Sequence, residues 1–207
     1  MFNVLIDRFP KEYEGYLIRW QFYNGIIISD TLAQTSGIYG TEYGQIEKLY
    51  AAFEILYGKG IPPFETALAG LNWFFDCGEE QKPENEDENK DKDKEKRKKP
   101  KLFSFESDKN RLYSAFLVKY GIDLNTSDDM HWFKFIALMN DLSDTAFRNV
   151  IDIRSKTDKE IKKYSKDVQA EIRKQKKIFA IEQALDVKYT PEQNKMIDHF
   201  DQLVGKK

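Results

Sequence analysis

The chain has 207 residues, enough for one large or two small domains; 41% are apolar and 14% aromatic, which supports a packed core and excludes global disorder. A formal charge of −2 excludes a strongly basic nucleic-acid protein on totals, and the single cysteine, Cys77, excludes an intrachain disulfide. With two histidines far apart in sequence, the donor set for a zinc site is poor.

The first residues, MFNVLIDRFP, lack the basic region and long apolar run of a secretory signal, and no window approaches 18 uninterrupted apolar residues. The expectation is a soluble, intracellular, aromatic-rich protein. In residues 9–18, FPKEYEGYLI, Glu14-Gly15 separates two short β-prone pieces, which predicts a small hairpin with Gly15 at positive φ. In WQFYNGIIISDTLAQ, Trp20, Tyr23, Ile27 and Leu32 fit a helix loosely, while Gly25 and the branched Ile26–Ile28 favour a strand at 26–28. From Gln45 to Tyr57 the spacing of Ile46, Leu49, Tyr50, Phe53, Leu56 and Tyr57 predicts an amphipathic helix closed by Gly58. Pro62-Pro63 then start a helix that ends near Gly78 and buries Leu68, Leu71, Phe74 and Phe75.

From Glu79 to Lys101 there is nothing to bury, and ordering would cost about 1–2 kcal/mol per residue without compensation, which predicts a disordered charged insertion. The densest apolar patterning follows, between Ser104 and Arg154. Ser107, Ser127 and Ser143 read as caps of three short helices, roughly 108–120, 128–141 and 144–154, with Gly121 closing the first. Beyond Arg154, Thr157 and Glu160 have capping-box spacing and open a helix to about Leu185. Its apolar seam is thin (Ile161, Tyr164, Val168, Ile172, Phe179) and its other faces are rich in Lys and Arg, which suits a helix that packs along one side or binds another helix. Thr190-Pro191 begins a last short helix. The expected fold is mainly α: a helical bundle-like domain with a small N-terminal β-hairpin. Its parts are a helical half with the hairpin (1–78), the charged linker (79–101), a central three-helix block (102–155) and a basic C-terminal helix with a short terminal one (156–207).

No catalytic constellation emerges. The glycines of GIYGTEYG and YGKGIPP lack the Lys-Ser/Thr of a phosphate-binding loop. Cys77 ends an aromatic helix with no activating neighbour, and Asp128-Asp129, Asp141 and Asp144 suit caps better than a metal. His131 is expected to anchor a helix junction. Trp132 and Phe133 differ by about 100° on a helix, so one of them is expected at the rim unless both sides are covered. Rim aromatics anchor protein interfaces.

The block DKNRLYSAFLVKYGIDLNTSDDMHWFKFIALMNDLSDTAFRNVIDIR resembles the bacteriophage gp-fifteen family of long-tailed phages and prophages of Gram-positive bacteria. The matching features are the Asp108-led helix ending in Tyr120-Gly121-Ile122-Asp123-Leu124, then His131-Trp132, Lys134-Phe135 and Ile153-Arg154. Ile61-Pro62, Ala67, Leu71, Trp73, Phe74 and Cys77-Gly78 match upstream, and RWQFYNGI departs from the family's pattern. The resemblance implies a tail assembly chaperone, with no enzymatic activity, cofactor or metal. It would bind the tape measure protein and the major tail protein, with a second tail assembly chaperone as a further partner, in the cytoplasm of the bacterial host, and be absent from the mature virion. Membrane contact is not expected, and the acids among the lysines of 159–177 disfavour nucleic acid. The expected partner contacts are Trp132, Phe133, Ile161, Tyr164, Val168, Ile172 and Phe179. The alternatives are a permanent component of the phage tail or neck and a nucleic-acid-binding protein acting through the basic C-terminal helix.

Overall fold

A computed structural model describes residues 2–34, 42–79 and 102–181. It is mainly α-helical with one small hairpin. The described residues divide into two compact units, one of residues 4–75 and the other of residues 2–3 and 76–181.

The N-terminal unit opens with the expected hairpin. Strands β1 (Glu12–Tyr13) and β2 (Tyr16–Leu17) pair antiparallel, Glu12 with Leu17 and Tyr13 with Tyr16. The connection is two residues, Glu14 and Gly15, both at positive φ (48° and 81°), the conformation whose twist matches that of the strands. Helix α1 (Phe22–Ala33) takes the stretch in which a strand competed. Tertiary packing overrides the β-branched run, because helical spacing puts Phe22, Gly25 and Ile28 together on a buried face. Helix α2 (Glu42–Tyr57) packs against α1 and buries Ala52, Phe53, Leu56 and Tyr57. Its Lys48 is buried, and Nζ donates to the carbonyls of Leu32 (3.3 Å) and Gln34 (2.6 Å) at the C-terminal end of α1. A cation there meets the negative end of the helix dipole; burial lowers its pKa. Gly58 closes α2 at φ 65°. Helix α3 (Phe64–Phe75) follows the two prolines and buries Ala67, Gly70, Leu71 and Phe74; Leu68 and Phe75 are half-buried.

The C-terminal unit contains α4 (Phe105–Tyr120), a 3-10 turn (Leu124–Thr126), α5 (Trp132–Asn140), α6 (Ala146–Ser155), α7 (Asp158–Ile161) and α8 (Lys166–Ile178). Gly121 ends α4 at φ 65°, as its position predicts. All three expected caps are corrected. Ser104, not Ser107, caps α4, and its Oγ accepts from Ser107 N–H. Ser127 instead donates its hydroxyl to the Asp123 carbonyl, and His131 caps α5 through Nδ1. Ser143 accepts from Lys119 Nζ, and Thr145 caps α6. Each segment offers several polar residues able to cap, and the one used is the one immediately before the first turn whose apolar side chains reach the core.

The long helix expected from Thr157 is also corrected. The Thr157–Glu160 capping box forms, but α7 ends at Ile161, the chain turns through residues 162–165, and α8 starts anew after the extended Ser165. Gln169 Nε2 donates to the Tyr164 carbonyl (2.8 Å), which satisfies an acceptor the break exposes. The charged insertion beyond Glu79, the end near Leu185 and the helix from Thr190 lie outside the described residues.

Candidate partner-binding surface

The motif residues of the C-terminal unit converge, and what they build is a framework. Asp108, in the first turn of α4, is 1% exposed and takes two bonds from the Arg154 guanidinium of α6, Nη1 to Oδ2 at 2.6 Å and Nη2 to Oδ1 at 3.0 Å. It also accepts from Ser104 N–H (3.1 Å) and Arg111 (3.3 Å). Arg154 donates further to the carbonyls of Leu102 (3.0 Å) and Phe179 (2.6 Å). One guanidinium therefore joins the segment before α4, α4, α6 and the end of α8, using a planar fork that a lysine lacks. At the other end of α4, Tyr120 donates its hydroxyl to the Leu138 carbonyl (2.9 Å), and Lys119 reaches the Asp141 carbonyl and carboxylate. The acidic residues Asp108, Asp123 and Asp141 thus have structural partners: Asp123 caps the 3-10 turn and Asp141 holds α4 to the end of α5.

The expectation of a rim aromatic at Trp132 or Phe133 is corrected, because both are 2% exposed. Both sides of α5 are covered. Trp132 lies against Phe105 (6.3 Å between ring centroids) and stacks on Phe135 (5.7 Å), which stacks in turn on Phe116 (5.1 Å). Phe133 faces the other way, edge-on to Phe2 (5.4 Å) and to His131 (4.7 Å). In this fold neither ring offers a docking surface.

The predicted seam separates into two sets. Ile161 and Ile172 are buried, and Phe179 is half-buried under the Arg111 guanidinium, 5.3 Å from its ring. Phe179 and its carbonyl tie the end of α8 to Arg111 of α4 and Arg154 of α6, and α8 packs on α6. Tyr164 (46% exposed) and Val168 (43%) remain open, and Ile178, which the sequence pattern did not single out, is the most open apolar side chain of α8 at 64%. Helical spacing alone identified the stripe; which members turn inward depends on the break at 162–165, which shifts the register between Ile161 and Ile172. Around the open residues, Lys162, Lys163, Lys166, Arg173, Lys174 and Lys177 are all exposed.

Cys77 is half-buried at φ 55°, and burial, with Glu79 and Asp76 beside it, pushes its thiol up to about 11. A thiol held neutral is a weak nucleophile. Among the described residues no group of three His, Cys, Asp or Glu side chains is placed to hold a metal ion, and no helix is long and apolar enough to cross a membrane.

The described residues define a mainly helical protein in which Asp108, Tyr120, His131, Trp132 and Arg154 are spent on its own scaffold. The family model described as Bacteriophage Gp15 protein matches residues 6–181, most of the chain, and the protein belongs to that family. Membership supports a structural or morphogenesis role in a phage. No curated protein and no solved structure matches the chain.

Proposed function

We propose that this protein is a tail assembly chaperone of a long-tailed phage: it binds the tape measure protein, holds it soluble, and helps recruit tail-tube subunits in the host cytoplasm. It catalyses no reaction, uses no cofactor and leaves before the virion is complete. The observation that carries this reading is the contrast between enclosed and exposed side chains in the C-terminal unit. Asp108, Tyr120, His131, Trp132 and Arg154 are consumed by packing, capping and pairing, while α8 turns Val168, Ile178 and a run of cations to solvent. A long helical partner with an exposed apolar stripe aggregates unless covered, and a helix with open apolar and charged positions is suited to cover it.

Co-expression with the tape measure protein of the same phage, followed by size exclusion and a solubility assay, tests the proposal. Co-elution with a partner that becomes soluble supports it; a partner that stays insoluble and unbound removes it. Finding this chain in purified virions would favour a permanent tail or neck component instead.

A further inference from the structure

The exposed side of α8 is electrostatically one-sided. Successive residues of a helix advance by about 100°. With Ile172 buried, that step carries Lys166, Ala170, Arg173, Lys174 and Lys177 to one half of the outer surface, about 100–200° round from Ile172, and Asp167, Glu171 and Ile178 to the other half, about 220–260° round. Among the described residues none of these four cations makes an ion pair. The Glu171 carboxylate is instead taken by Gln175 Nε2 at 3.0 Å. Arg173 and Lys177 are a like-charge pair at i,i+4 and Lys174 and Lys177 one at i,i+3, arrangements that weaken a helix standing alone. The face therefore carries a cost within the isolated chain that an anionic neighbour would relieve.

Ala170 sits in the middle of the cationic strip with a side chain short enough for another helix to approach closely, and Ile178, beside Asp167 and Glu171 on the adjoining strip, adds open apolar surface. Both features serve a protein partner and are of no use to a phosphate backbone. We propose that this face of α8 docks an acidic amphipathic helix of a partner protein, with apolar residues over Ala170 and Ile178 and carboxylates over Lys166, Arg173, Lys174 and Lys177. This rests on the partner-binding role above and adds the surface and the chemistry that recognises it. The strip spans the 13 residues of α8, about 20 Å, or close to four turns of a partner helix.

The test uses the full chain, its variant Lys166→Gln/Arg173→Gln/Lys174→Gln/Lys177→Gln, and a control with Lys166→Arg/Lys174→Arg/Lys177→Arg. Two probes are measured: the co-expressed tape measure protein by size exclusion, and a labelled synthetic helix with leucines flanked by glutamates by fluorescence anisotropy. A DNA duplex of equal charge is the comparison. The Gln variant is expected to bind both protein probes at least about tenfold more weakly, since exposed charge pairs contribute modestly one by one, and the Arg control to bind like the parent. Raising salt from about 0.1 to 1 M, which shortens the Debye length from about 10 to 3 Å, should weaken binding in the parent. A tape measure complex that forms with parent and Gln variant alike overturns this surface and leaves the chaperone reading standing. If the parent binds no tape measure protein, the chaperone reading fails, and the synthetic helix decides the surface: charge-dependent binding keeps it and no binding removes it. Tighter binding of the duplex than of the synthetic helix overturns the proposal in favour of nucleic acid.

Discussion

Replacing Arg154 by Met should be among the most damaging single substitutions in the C-terminal unit, although it swaps one long side chain for another. The substitution leaves the 1%-exposed Asp108 carboxylate without its two-pronged partner and orphans the carbonyls of Leu102 and Phe179. Stranding one member of a buried ion pair costs about 3–5 kcal/mol. Ser104 N–H and Arg111 still reach Asp108, at 3.1 and 3.3 Å, and Arg111 is partly solvated, which points to the lower part of that range. We expect a loss of about 3 kcal/mol, or roughly 12–24 °C in Tm at about 4–8 °C per kcal/mol for a domain this small. The two units need not unfold together. The measurement is therefore urea unfolding followed by Trp132 fluorescence in a Trp20→Phe/Trp73→Phe background, where the remaining tryptophan reports its own unit. Asp108→Leu/Arg154→Met should then be less destabilised than the sum of the single changes by more than about 1 kcal/mol, since the residues interact directly. Additive losses, or an Arg154→Met variant within about 1 kcal/mol of the parent, would refute the view that this pair organises the unit.

Gly70→Ala should destabilise the N-terminal unit by about 1–3 kcal/mol in a thermal melt, against the usual gain of about 1 kcal/mol for alanine inside a helix, because a Cβ there would lie 2.0 Å from Tyr57 Oη and 2.7 Å from Tyr13 Cδ1; Tyr57→Phe should recover part of the loss. His131→Ala should cost about 1 kcal/mol through the lost cap of α5, with further loss from packing, and His131→Asn should cost less because asparagine caps well. Cys77 should react with a thiol reagent far more slowly at pH 8 in the folded protein than after denaturation, since its pKa is raised from 9.0 to about 11. The folded state then holds the proton more tightly, so this group's stabilisation is present below pH 9 and is lost as pH rises toward 11; equal labelling rates would contradict it. Glu160 has its pKa lowered from 4.5, chiefly by the hydrogen bond from Thr157 N–H, so its support for α7 is present above pH 4.5 and is lost as pH falls through the lowered value. Protection of the amides of residues 158–161, taken relative to their intrinsic exchange rate at each pH, should fall in acid, and Glu160→Gln should remove that pH dependence.

The parts of the fold legible in the sequence were those decided locally. Gly15, Gly58 and Gly121 mark their turns because glycine takes positive φ without steric cost, and the Thr157–Glu160 box formed because both its bonds lie within one turn. What the sequence left open was decided at long range. Ser104 prevails over Ser107 as a cap because Phe105 belongs in the core beside Trp132 and Phe135. Trp132 and Phe133 look like a rim from periodicity, yet Phe2, 131 positions away from Phe133, supplies the second cover. The break after Ile161 was illegible for the same reason: lysines tolerate a turn or a helix equally, and the chain breaks where Ile161 and Ile172 both reach apolar surroundings. Asp108 and Arg154 stood out as motif residues, but their pairing across 46 positions had no local signal.

That pairing bears on where recognition can lie. Side chains that perform chemistry converge on an open site, where a partner or substrate can reach them. In this chain Asp108 and Arg154 bind each other, Tyr120 and His131 satisfy backbone groups, and Trp132 is enclosed. These residues therefore close the scaffold, and recognition is left to exposed positions that the scaffold merely holds in place. Helix α8 is held by Ile172, by Phe179 beneath Arg111 and by one bond from Arg154 to the Phe179 carbonyl, so its outer residues can change without disturbing the frame. On this physical ground, substitutions at Lys166, Arg173, Lys174 and Lys177 should alter binding with little effect on folding, and substitutions at Asp108 and Arg154 should destabilise the folded unit and weaken binding only through that loss.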